Sequence, residues 1–100
     1  MALDLKNRKE RLVELTVAYD DTDINLKYRA DLLTPAYLNG PETEVEFCAK
    51  VIAEWDVTND GEKTTPSIDL LNGLDAELSY TLCYAIINHT KASAIQRLNR

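Results

Sequence analysis

The residues best suited to chemistry lie in one acidic stretch. Asp56-Val57-Thr58-Asn59-Asp60-Gly61 sets oxygen-bearing side chains at alternate positions ahead of a glycine, as in the opening of an EF-hand calcium loop. Such a loop closes on a bidentate carboxylate at its twelfth position and carries an aliphatic residue at its eighth, where this chain has Ser67 and Lys63. The run therefore reads as a turn that ends a helix, with Asn59-Asp60-Gly61 taking left-handed or tight-turn angles. Asp20, Asp21 and Asp23 could gather a cation, but hairpin tips are often acidic for solubility alone. His89 is the only histidine, and without a second histidine or an adjacent cysteine ligand it builds no zinc site. Cys48 and Cys83 fall among apolar residues and read as buried thiols rather than a disulfide. No serine or cysteine has an activating neighbourhood, and no glycine-rich loop waits for a phosphate. Asn88-His89-Thr90 fits the glycosylation pattern, which carries no meaning in a cytosolic chain. The expectation is a non-enzyme with no catalytic residue, no cofactor and no metal.

The bulk composition narrows the classes further. One hundred residues, 45% hydrophobic and 28% charged, make one domain with an ordinary core. A net charge of −6 argues against general nucleic-acid binding, which needs a basic footprint. Yet Lys6, Arg8, Lys9 and Arg11 crowd four of the eleven basic residues into one short stretch. Residues 1–11 read as a basic arm, either a frayed helical turn or a flexible segment; it is solvated, or it touches nucleic acid or an acidic partner. No run approaches the ~18–20 apolar residues of a membrane span. The N-terminus lacks the apolar stretch of a signal peptide, so an intracellular location without membrane contact is expected.

The elements that position these groups follow from periodicity. Leu12–Tyr19 and Ile24–Arg29 alternate apolar and polar residues, so each reads as a half-buried strand. A four-residue acidic loop between them would pair Tyr19 with Ile24, Val17 with Leu26, Leu15 with Tyr28 and Glu14 with Arg29. Thr34-Pro35 opens a short helix that Asn39-Gly40-Pro41 stops. Thr43 with Glu46 fits a capping box and starts a helix predicted to run to about Asp56. Its apolar side would hold Val45, Cys48, Ala49, Ile52 and Trp55, widened by Phe47 and Val51, with Glu46, Lys50 and Glu54 on the polar stripe. Trp55, the only tryptophan, is the expected centre of the core, together with Ile52, Leu78 and Leu82. Thr65-Pro66 repeats the helix-start signal and Asn72-Gly73 the stop. Asp75 caps a last helix through at least Asn88 and on to Leu98. The fold class is α+β over residues 12–100: an N-terminal antiparallel β-hairpin packed on three or four α-helices.

The last helix is apolar on two sides. Leu78, Leu82, Ala85, Ile86 and His89 share one face, and Tyr80, Cys83, Tyr84 and Ile87 share another. Either the hairpin and the central helix enclose both faces, or one of them meets another molecule. In the second case Tyr80, Tyr84 and Ile87 are the candidate partner-binding residues, facing another copy or a client.

Glu54-Trp55-Asp56-Val57-Thr58-Asn59-Asp60-Gly61, then Pro66 and a leucine-rich helix, resembles the small tail assembly chaperones of long-tailed bacteriophages. Tyr28-Arg29 and Thr34-Pro35 match the hairpin end and the threonine-proline of that family, so the resemblance covers roughly residues 12–88. The link between hairpin and helix is shorter than in the family, and the basic arm has no counterpart. The resemblance implies a protein of the bacterial host cytoplasm that binds the tape-measure protein and keeps it soluble while tail-tube protein polymerises. It also implies absence from the finished particle and, in many such phages, a longer product made by frameshifting. Two other classes fit the sequence. One is a head-tail connector or tail-completion subunit that stays in the virion and self-associates through the hairpin edge. The other is a small regulatory binding module whose basic arm touches nucleic acid.

Overall fold

In the computed structural model, which describes residues 11–98, Asp20 and Asp21 adopt left-handed angles, with φ of 51° and 62°. Two consecutive residues of that kind make a tight hairpin turn whose twist suits the flanking strands. The turn joins β1 (Leu12–Tyr19) to β2 (Thr22–Arg29), with Tyr19 opposite Thr22, Val17 opposite Ile24, Leu15 opposite Leu26 and Val13 opposite Tyr28. The pairing expected from a four-residue loop is thus corrected by two positions, because the shorter turn lets Thr22 and Asp23 join the ladder. A shift of two leaves every side chain on its expected face. Glu14 now lies opposite Lys27 rather than Arg29.

The larger correction concerns the central helix. Thr43 caps it as expected, its hydroxyl accepting from the Glu46 amide at 3.2 Å. Helix α2, however, covers only Glu44–Val51, between the short α1 (Pro35–Leu38) and a strand, β3 (Ile52–Trp55). β3 pairs antiparallel with β2, placing Trp55 opposite Leu26, Glu54 opposite Lys27 and Ile52 opposite Tyr28 across an irregularity. The sheet order is β1-β2-β3. The apolar run through Ile52 and Trp55 satisfies a helical stripe on paper. Here the open edge of β2 recruits it instead, and β-branched and aromatic side chains suit that surface.

Asp60 (φ 52°) and Gly61 (φ 81°) form a second left-handed turn, joining β4 (Thr58–Asn59) to β5 (Glu62–Lys63). The acidic run is a hairpin turn, not the end of a helix. A Cβ on Gly61 would meet nothing within 4 Å, so its backbone angle, not space, favours glycine. The next helix, α3 (Ile68–Asn72), begins after Ser67, whose Oγ accepts from the Leu70 amide at 3.2 Å. Thr65-Pro66 precedes that cap rather than supplying it. Helix α4 (Ala76–Leu98) follows Asp75, whose carbonyl accepts from the Leu78 amide.

The core is one cluster. Val17, Ile24, Leu26 and Tyr28 of the hairpin meet Phe47, Cys48 and Val51 of α2, Ile52 of β3, Leu71 of α3, and Leu78, Leu82, Cys83 and Ile86 of α4. Of the basic arm, Lys6, Arg8 and Lys9 lie outside the described residues. Arg11 is tied to the domain, its amide donating to Asp31 Oδ1 at 2.9 Å.

Candidate functional site

Helix α4 decides which apolar groups stay outside. Leu78, Leu82 and Ile86 recur at helical spacing and turn inward, and Cys83 follows them. Tyr80 and Tyr84, one turn apart, keep 50% and 52% of their surface exposed. Ile87 is half-buried against the core. A hollow of about 150 Å³ opens beside Tyr84, lined by Tyr37 and Leu38 of α1, Phe47 of α2, and Cys83 and Ile87 of α4. Of the three candidate partner-binding residues, Tyr84 and Ile87 border this hollow, and Tyr80 lies one turn before it on the same helix.

Carboxylates rim the hollow. Tyr84 Oη donates to Glu44 Oε1 at 3.3 Å, and the Glu44 charge holds the phenol above its ordinary pKa. Tyr37 is pushed up further, first by burial and then by Glu42 beside it. Glu42 is held below the usual carboxylate range, chiefly by its hydrogen bond from Lys50. Each phenol is therefore neutral at physiological pH, and the Glu42 charge is paired with Lys50.

Trp55 occupies a different place. It sits at the margin of the core, partly buried, whereas Ile52, Leu78 and Leu82 lie inside. Its indole N–H is shared between the carbonyl and Oγ1 of Thr64, at 3.1 and 2.9 Å, and the Thr64 hydroxyl donates to the Val57 carbonyl. Next to it, Asp56 grips β2: one carboxylate oxygen accepts from the Asn25 amide at 2.9 Å, the other from Asn25 Nδ2 at 2.8 Å. Asn25 Oδ1 in turn accepts from Thr16 Oγ1 at 2.7 Å. The side chains that imitated a calcium loop are thus spread over a clamp, a strand and a turn. Among the described residues, no group of three or more histidine, cysteine, aspartate or glutamate side chains could hold a metal.

The remaining candidates are structural in place. His89 Nδ1 lies 2.8 Å from Tyr28 Oη, with the rings edge-to-face at 5.9 Å, which fixes the middle of α4 to β2. Cys48 and Cys83 are free and buried; burial pushes their thiols up to about 12 and about 11. The sequence reading missed the Asp56–Asn25 clamp, the Tyr28–His89 contact and the Glu44–Tyr84 bond. Each joins residues far apart in sequence, and only the first had a local signal, the Trp-Asp pair itself. Among the described residues, no helix is long and apolar enough to cross a membrane. No protein-family model, curated protein or solved structure matches the chain.

Proposed function

We propose that this protein is a non-enzymatic assembly chaperone of a long-tailed phage that binds the tape-measure protein through α4. The phage assignment rests on the resemblance of residues 12–88. The observation that carries the binding surface is the exposed pair Tyr80 and Tyr84, one turn apart on α4, with Tyr84 and Ile87 bordering a hollow of mixed polar and apolar lining. Tyrosine offers broad contact area at low entropic cost while its hydroxyl tolerates water in the free protein. An apolar stripe on an elongated helical client would lay along such a surface, and the acidic balance of the chain keeps the complex soluble.

The test is co-expression with the tape-measure protein of the same genome. Replacing Tyr80 and Tyr84 together by serine should weaken capture by about 1–3 kcal/mol, the range of interface anchor residues, and leave the melting temperature close to wild type. Undiminished capture by a folded double variant would remove α4 from the binding surface. Recovery of the protein from purified virions would favour the retained connector instead.

A further inference from the structure

β1 is an edge strand of eight residues, and no described strand pairs with its outer side. Exposed edges usually carry a proline, a lysine, a bulge or an interruption that discourages pairing. β1 has none of these: Leu12-Val13-Glu14-Leu15-Thr16-Val17-Ala18-Tyr19 runs in unbroken register with β2 and holds a single charge. Of its core-side residues only Val17 is buried, while Val13, Leu15 and Tyr19 remain partly buried; on β2 Ile24, Leu26 and Tyr28 are all buried. Apolar cover is therefore incomplete along the same edge that offers free backbone groups.

The direction of those groups can be read from the ladder. The Arg11 carbonyl accepts from the Ala30 amide across the hairpin, and Asn25 turns its amide and carbonyl away from β1 to Asp56. Antiparallel pairing alternates, so Leu12, Glu14, Thr16 and Ala18 direct their amides outward. We propose that a second copy of this chain covers the edge, with the two β1 strands antiparallel about a two-fold axis at Leu15, fusing two three-stranded sheets into one. That centre places Glu14 against Thr16 of the second copy, Leu12 against its Ala18 and Val13 against its Val17. An axis at Glu14 would oppose two carboxylates, and one at Val17 would set Glu14 against Asp20. The Leu15 axis keeps the full run from Leu12 to Ala18 paired and places the only charge of the strand opposite a hydroxyl. An isologous contact of this kind closes on itself. It uses no residue of the tyrosine surface on α4, so it stands whether or not that surface binds a tape-measure protein.

The test compares two substitutions at one site in the full chain by sedimentation. Both Thr16→Glu and Thr16→Lys lose the hydroxyl bond to Asn25, so that loss cancels between them. Thr16→Glu faces Glu14 of the other copy twice and should raise the dimer dissociation constant about ten-fold or more, whereas Thr16→Lys faces the same carboxylate and should keep or lower it. The amides of Leu12, Glu14, Thr16 and Ala18 should gain protection from hydrogen exchange as protein concentration rises. A wild-type monomer at about 100 μM, a dimer equally sensitive to both substitutions, or concentration-independent protection of those amides would each overturn the proposal.

Discussion

Removing the Asp56 carboxylate should loosen the end of the third strand from the hairpin. Asp56 follows the last residue of β3 and accepts two bonds from Asn25, one of them from a backbone amide that faces away from β1. The Asp56 amide returns a third bond to the Asn25 carbonyl, which the substitution leaves in place. Hydrogen bonds to a charged acceptor contribute about 1.5–3 kcal/mol when shielded, and exposure of both residues here points to the lower end. Asp56→Ala should therefore cost about 2 kcal/mol. Asp56→Asn retains one acceptor oxygen and should cost about half as much. Asn25→Ala removes the side-chain bond but keeps the amide, so a double-mutant cycle should return a coupling of about 1 kcal/mol. Urea denaturation followed by Trp55 fluorescence measures all four proteins, since the indole lies beside the clamp. Amide exchange at Asn25 adds a local readout that global stability does not move. A cost below about 0.5 kcal/mol with no coupling would mean that β3 is held by its backbone ladder and packing without help from the carboxylate.

Leu82 is fully buried, so Leu82→Ala should cost about 2–5 kcal/mol in the same assay; a smaller loss would mean the helices collapse onto the space. Ser79 Oγ is buried without a hydrogen-bond partner among the described residues, and Ser79→Ala should hold stability level or raise it by about 1 kcal/mol, read from the urea midpoint. With both thiols raised by burial, Cys48 and Cys83 should resist labelling at pH 8 in native protein and react promptly in denaturant. Glu42 has a lowered pKa in the folded state, so its contribution is present above the ordinary carboxylate value of 4.5 and lost as pH falls through the depressed one. Glu42→Gln should therefore flatten the acid side of the stability profile and leave the range from pH 6 to 8 parallel to wild type.

The parts legible in the sequence were those fixed by local chemistry. Thr34-Pro35 and the Thr43 cap start helices where the side-chain oxygen meets an amide three residues on, and each spacing can be counted along the chain. The alternation of β1 and β2 showed which side chains face inward, but not which residues oppose each other. That choice belongs to the turn, and Asp20-Asp21 can serve equally as part of a longer acidic loop. Ile52–Trp55 was unreadable for another reason. Val51, Ile52 and Trp55 satisfy a helical stripe as well as a strand, and only the presence of β2 beside them decides. The exposure of Tyr80 and Tyr84 was open in the same way, since either apolar face of α4 would have served as the buried one.

The acidic run that looked most like a ligand site has a mechanical role that explains its residue types. Trp55 closes β3 with a side chain wide enough to reach Thr64, Asp56 ties the strand to Asn25, and the left-handed pair Asp60-Gly61 folds the chain back so that Thr64 arrives. The parts depend on one another: without the turn the indole N–H loses its Thr64 acceptors, and without the Asp56 carboxylate the strand end keeps only its backbone bonds. The consequence reaches the opposite side of the sheet. A short β3, finished by a carboxylate clamp and followed by its own small hairpin, leaves little edge for another strand to join. The long, regular edge of β1 has no such finish. The proposed association through the sheet would thereby use one side of the molecule, and it would leave the half-exposed Tyr80 and Tyr84 of α4 outside that contact.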